Sequence, residues 1–262
     1  MPTNLDVKSV KSVYISGAFD DLQSGHVRFL EEAAKLGPVC VLLWSDEAVQ
    51  GLQGQPPKFP QAERQYLLEA IRYVDRVTLS TGVIDPEAGE GIGDWGLGIG
   101  ECDRPSPSNP QSLIPNPSSL PPPPVPRKRV IVTGCYDWFH SGHVRFFEEV
   151  AALGDLYVVV GHDANIRLLK GEGHPMFSAQ ERRYMVQSVR CVKQALISTG
   201  GGWLDAEPEI ERIKPDIYAV NEDGDRPEKR EYCEAHGIEY RVLKRVPKEG
   251  LPRRKSTTLR GF

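Results

Sequence analysis

The sequence predicts an α/β protein made of two Rossmann-like, doubly wound parallel-sheet units, the first of them truncated. Three observations carry that expectation. Short apolar runs alternate with stretches of helical spacing along most of the chain. The pattern occurs twice: residues 13–37 align without a gap on 130–154 with more than half of the positions identical. The match resumes where residues 59–66 lie beside 177–184 and residues 79–82 beside 197–200. Finally, each copy passes from an apolar strand through a glycine-bearing turn into a helix, the junction at which doubly wound sheets hold ligands.

In the first copy, residues 12–16 read as a strand, 24–36 as a helix, 39–44 as a strand, 61–73 as a helix and 76–79 as a strand. That is a βαβαβ unit with parallel strands, assigned to residues 10–82. From about Val83 the pattern dissolves into glycines and then a Ser/Pro/Asn tract ending in prolines at 121–124 and 126. Residues 83–127 are therefore expected to be a linker, flexible at its glycines and extended along its prolines. A partner that reads polyproline is the alternative use of this composition.

The second copy, residues 128–262, repeats the unit and continues. A strand near Val130, a helix from Gly142, a strand over 156–160, a helix from Ala179 and a strand over 195–198 are followed by a helix over 206–213. Lys214-Pro215-Asp216 leads into a strand over 217–220, and a helix over 228–236 stops at Gly237 before a strand over 239–243. The first copy has nothing corresponding to this second half. It is expected to cover its sheet by packing on the second copy as an intrachain pseudo-dimer, with a homodimer of whole chains as a further possible arrangement.

The bulk numbers exclude several classes. At 262 residues, 39% hydrophobic and 26% charged, with a formal net charge of −4, the chain has ordinary globular composition and no overall electrostatic case for nucleic acid or membranes, although its last twenty residues are locally basic. No apolar run reaches membrane-spanning length and the N-terminus lacks a hydrophobic signal core, so a cytoplasmic location is expected. Five cysteines without C-x-x-C spacing argue against a disulfide framework or a structural zinc site. Cys135 borders the candidate site and reads as small buried filler.

Chemistry concentrates at His140-Ser141-Gly142-His143, where a strand hands over to a helix. A helix N-terminus offers free N–H groups and partial positive charge to a phosphate, and two imidazoles beside it can neutralise charge developing on phosphoryl oxygens. In the first copy Gln23 stands opposite His140, and Gln53 stands opposite Lys170 if one extra residue is allowed in that loop. An amide can hold a phosphate oxygen but supplies no positive charge, so the first copy is read as degenerate and the second as the working one.

Several motifs follow one another in order: Thr133-Gly134-Cys135-Tyr136-Asp137, the two histidines, Glu181-Arg182 on the next helix, and Ser256-Thr257-Thr258 near the C-terminus. Together they resemble the nucleotidyltransferases with an H-x-G-H signature, especially glycerol-3-phosphate and phosphoethanolamine cytidylyltransferases and the adenylyltransferase that forms ADP-heptose. The likeness covers residues 128–262 and most of 10–82. It implies an in-line displacement in which a phosphate oxygen of a small phosphorylated acceptor attacks the α-phosphorus of a nucleoside triphosphate and expels pyrophosphate, with Mg2+ bridging phosphate oxygens. In that scheme His140, His143 and Lys170 are catalytic, Lys170 as a mobile cation in the loop over 168–173. Thr133, Gly134, Tyr136, Asp137, Gly142, Arg182, Asn221, Asp223, Ser256, Thr257 and Thr258 bind the nucleotide, although the residue type of Asp137 at a turn reads first as fixing the backbone by side-chain hydrogen bonds. No residue is assigned as a direct metal ligand.

Arg245 and Arg253 compete for the family's phosphate arginine, and Arg253, Arg254 and Lys255 read either as a polyphosphate clamp or as a solvated run. The family's Arg-Tyr-Val-Asp survives only at residues 72–75, in the degenerate copy, while the second copy has Arg190-Cys191-Val192-Lys193 and Asn221-Glu222-Asp223-Gly224-Asp225. This leaves CTP, slightly favoured, and ATP as donors. Two rival readings are a non-catalytic nucleotide-binding regulatory or scaffold protein and an enzyme with two active sites, the latter requiring Gln23 to do the work of a histidine.

Overall fold

The structure, a computed structural model, describes residues 11–80, 95–101, 126–256 and 259. The first unit runs β1 (Lys11–Gly17), α1 (Ser24–Ala34), β2 (Val39–Trp44), α2 (Asp46–Gln53), α3 (Gln61–Ala70), β3 (Arg76–Ser80) and β4 (Trp95–Glu101). The second runs β5 (Arg129–Gly134), α4 (Ser141–Ala151), β6 (Asp155–Val160), α5 (Asp163–Lys170), α6 (Ala179–Gln187), β7 (Val192–Ile197), α7 (Glu207–Ile213), β8 (Ile217–Asn221), α8 (Pro227–Ala235) and β9 (Glu239–Leu243). The five strands of the second sheet lie in the order β7-β6-β5-β8-β9, all parallel, as expected of a doubly wound unit.

Two features depart from the sequence reading. The stretch taken as linker contains β4, which pairs antiparallel with β1 in the sheet β3-β2-β1-β4. Its sequence alternates Trp95, Leu97 and Ile99 with glycines, a period-two pattern hidden by glycine's poor strand propensity. β4 occupies beside β1 the place that β8 occupies beside β5. Helices α2 and α5 lie where the sequence predicts no element. Val49 is the buried residue of α2, and α5 buries Asn165 and Ile166, so neither shows a wide apolar stripe; Ser45 and His162 cap them instead. Lys170 is thus the last residue of a helix, not part of a loop. Gln53 ends the matching helix at the same distance from its start, and the extra residue of the second copy falls after these positions.

Bonds between the units come in pairs with the roles exchanged. The Tyr66 hydroxyl donates to Glu148 (2.7 Å) and that of Tyr184 to Glu31 (2.5 Å). Ser24 donates to Glu181 and Ser141 to Glu63, each at 2.6 Å. The Arg72 guanidinium donates to the carbonyls of Val189 and Val192, and that of Arg190 to those of Ile71 and Val74. Beneath these bonds one apolar core joins both units, with Leu68 and Ile71 packed in the same cluster as Phe147 and Val186. A second cluster around Ile131, Val159, Ile210 and Tyr218 closes the other face of the larger sheet.

Candidate active site

The site forms where β5 ends and α4 begins. Gly134 closes β5, and a Cβ added there would meet the Tyr136 ring at 2.8 Å. Tyr136 itself takes a left-handed conformation (φ 53°), as does its first-copy equivalent Phe19 (φ 49°), turning the chain sharply toward the helix. His140 is the N-cap of α4: its Nδ1 accepts the Gly142 N–H at 3.1 Å, satisfying one of the helix's otherwise unpaired donors. The ring folds over Gly142, where a Cβ would lie 3.0 Å from it, so any larger residue would press on the imidazole. His143, one turn in, stacks on His140 with centroids 3.9 Å apart and planes 20° off parallel, while Tyr136 meets it edge-on at 5.3 Å.

His140 is fully buried, and its Nε2 and the Nδ1 of His143 are buried without a hydrogen-bond partner. Native proteins rarely leave such atoms unpaired, and a ligand group is one thing that satisfies them. Because Nδ1 of His140 accepts a hydrogen bond, the neutral ring carries its proton on Nε2. Burial, and then the charges of Arg245 and Arg254, lowers the His140 pKa to about 3. Burial, His140, Arg245 and Lys170 hold that of His143 well below the usual imidazole range. Both histidines are therefore neutral before any anion arrives, with the Nε2–H of His140 a donor, which departs from the positive role the sequence suggested.

Positive charge comes from elsewhere. A cleft of about 330 Å³ in front of the pair is lined by Lys170 from α5, Lys229 from α8, Arg245 beyond β9, and Lys255 with Ser256 from the C-terminal segment. Thr133, Gly134, Tyr136, Asp137, Gly142, His143, Asn221 and Asp223 line it too. Arg245 pairs with Asp223 and donates to the Arg254 carbonyl at 2.8 Å. Arg253 instead pairs with Glu222 at the surface, so of the two competing arginines Arg245 is the one in the cleft. Lys229 escaped the sequence reading. It lies in the first turn of α8, donates to the Gly224 carbonyl and stands 5.7 Å from the Tyr218 ring; only its place after a strand's carboxyl end hints at the cleft.

Two candidates are held in structural roles. Arg182 is buried and spends its donors on the carbonyls of Phe177, Cys135 and Gly161 and on the Asp163 carboxylate. Arg64 in the first unit makes the matching set, to the carbonyls of Phe59 and Ala18 and the Asp46 carboxylate. Asp137 accepts the N–H groups of Met176 and Phe177, as Asp20 accepts those of Lys58 and Phe59. Roles repeated in a copy without the histidine pair concern the fold. Thr257 and Thr258 lie outside the described residues. Burial raises the Cys135 thiol pKa, which disfavours a nucleophile. Among the described residues no group of three or more acidic, histidine or cysteine side chains has a metal-binding arrangement, and no helix is long and apolar enough to cross a membrane.

A model of the cytidylyltransferase-like family matches residues 14–87 and 131–243. The FAD synthase of Ferroglobus placidus is 36% identical over 125 residues, covering 47% of this chain and 78% of that protein. The bifunctional protein HldE of Pelobacter propionicus is 36% identical over 98 residues, covering 37% of this chain and 20% of that longer protein. Among solved structures, a lipopolysaccharide core biosynthesis protein of Thermoplasma volcanium aligns over 47% of this chain and 99% of its own, at 25% identity and a TM-score of 0.40.

Proposed function

We propose that this chain, which belongs to the cytidylyltransferase-like family and is a nucleotidyltransferase, carries its active site in residues 128–262 and there moves a nucleoside monophosphate from CTP or ATP to a small phosphorylated alcohol or sugar. A phosphate oxygen of the acceptor attacks the α-phosphorus; the new P–O bond forms as the α–β anhydride bond breaks, and pyrophosphate leaves. The observation that carries this reading is the stacked, buried histidine pair at a helix N-terminus, with two unpaired ring nitrogens and a cationic cleft in front.

His140 and His143 act as preorganised donors to phosphate oxygens. Lys170, Lys229, Arg245 and Lys255 compensate the charge of the triphosphate and of the crowded transition state. The names of the FAD synthase relatives, which state an adenine dinucleotide as product, support ATP beside CTP as donor. The cleft's carboxylates, Asp137 and Asp223, are each engaged by protein donors. That suits a magnesium ion held chiefly by the substrate's own phosphates, where it offsets their charge.

The first unit is read as non-catalytic. There the position of His140 is glutamine, His26 turns its Nδ1 to the Gln23 backbone N–H at 2.9 Å, and β4 fills the place of β8. The strand β8 and helix α8, which bring Asn221 and Lys229 to the working cleft, have no counterpart among the described residues of that unit. Reciprocal bonds such as Tyr66–Glu148 and Tyr184–Glu31 support an intrachain pseudo-dimer.

The test is pyrophosphate release by the whole chain with magnesium, offering CTP and ATP in turn with a panel of phosphorylated alcohols and sugars. Release that requires one pair establishes the reaction. Nucleotide binding without release for any pair would replace this reading with a non-catalytic, nucleotide-binding one.

A further inference from the structure

The C-terminal segment that supplies Lys255 and Ser256 to the cleft is laid across the first unit. Lys248 stands over the Tyr66 ring at 5.5 Å, and the Arg254 guanidinium over the Phe59 ring at 5.2 Å. Arg254 also donates from Nε and Nη2 to Oε2 of Glu63, at 3.0 and 2.8 Å. Glu63, fully buried on α3, accepts the Ser141 hydroxyl as well, at 2.6 Å, from the first residue of α4. One carboxylate of the degenerate unit thus touches both the helix that presents His143 and the segment that presents Lys255 and Ser256. Its repeat equivalent, Glu181, accepts the hydroxyl of Ser24. A buried carboxylate is costly unless paired, and here both side-chain partners, Ser141 and Arg254, belong to the other unit.

We propose that Glu63 is a positioning residue for the second unit's active site, fixing residues 253–256 against the N-terminus of α4 through Arg254 and Ser141. This rests on the reading of that cleft as a nucleotide site. It assigns the first unit a task that a linker-tethered relic would not have: completing, across the interface, the binding wall of a site it does not itself contain.

The test uses the full chain with Glu63→Gln, which keeps the volume and removes the charge, beside Glu31→Gln, which weakens the interface at Tyr184. Trypsin cleavage after Arg253, Arg254 and Lys255 reads the segment directly. Titration with CTP and with ATP reads the site. Glu63→Gln should be cleaved about tenfold faster there and bind nucleotide about tenfold more weakly, with kcat changed far less than KM; Glu31→Gln should match the wild type in both. In an Arg254→Met background, Glu63→Gln should add little further loss of affinity. Equal behaviour of the two glutamate variants, or a full additional loss in the Arg254→Met background, overturns the proposal. A wild-type chain that binds neither nucleotide overturns the reading of the cleft itself, while trypsin still reports whether Glu63 holds the segment.

Discussion

Replacing His140 by glutamine imitates within the working unit what the first unit already contains. Gln23 holds the corresponding N-cap position at φ −115° and ψ 172°, against −150° and 170° for His140, so the backbone accepts the change. A glutamine oxygen can still accept the Gly142 N–H, and the stability loss should stay within about 2 kcal/mol, the upper end for a changed N-cap. What disappears is the ring that stacks on His143 at 3.9 Å and the buried Nε2–H behind it. His143 is then expected to follow His26 and turn Nδ1 to the backbone N–H of residue 140. Losing one oriented donor to a developing phosphoryl charge costs about 2.7–4 kcal/mol, or about 10²–10³ in kcat. Initial rates of pyrophosphate release at saturating substrate, with thermal unfolding followed on the same preparation, separate the two effects. A kcat within about threefold of the wild type would refute the role assigned to the pair. A large stability loss with kcat intact would reduce His140 to a cap.

Arg182→Lys should destabilise the chain by about 3–5 kcal/mol in urea, because lysine cannot serve the four acceptors of a buried guanidinium, and Arg64→Lys should do the same in the other unit. A raised KM at unchanged stability would mark Arg182 as a nucleotide contact instead. Arg245→Ala should raise the nucleotide KM about ten- to hundredfold by removing a charged donor worth about 1.5–3 kcal/mol, while Arg253→Ala, exposed and paired with Glu222, should change it by about twofold or less; steady-state kinetics reverse the assignment if the order is inverted. The depressed histidines also set an acid limit. Unfolded imidazoles titrate near about 6.5 and His140 near about 3, so the unfolded chain takes up more protons between those values and stability falls as pH drops through that window. Denaturant midpoints measured from pH 7 to pH 4 should fall less steeply for His140→Gln than for the wild type, and parallel curves would contradict the assignment.

The repeat made much of this legible. Strands β2 and β9 have the bounds that their apolar runs suggest, and the doubly wound second unit follows from its alternation alone. Two short helices and a glycine-rich strand were not legible. Helices α2 and α5 are capped by Ser45 and His162, and β4, with three glycines in seven residues, is fixed by pairing with β1. At the site, the histidines follow from the strand-to-helix junction and Lys170, Asn221 and Asp223 from the family resemblance, and they line or back one cleft. Asp137 holds backbone N–H groups as its residue type at a turn suggests, whereas Arg182 matched the family pattern but spends its donors on protein acceptors, as its twin Arg64 does.

By itself the sequence determined that the chain is a duplicated α/β protein of the nucleotidyltransferase kind, because periodicity and ordered motifs are properties of neighbours along the chain. Only the tertiary structure decided which groups carry charge and which unit supports which. Burial keeps the two histidines neutral, and Arg245 rather than Arg253 enters the cleft because residues after β9 fold back over it. Glu63 meets Arg254 across 191 positions of sequence, a contact that no local pattern encodes. Desolvation and long-range pairing depend on what packs against a residue, and that exists only once the chain has folded.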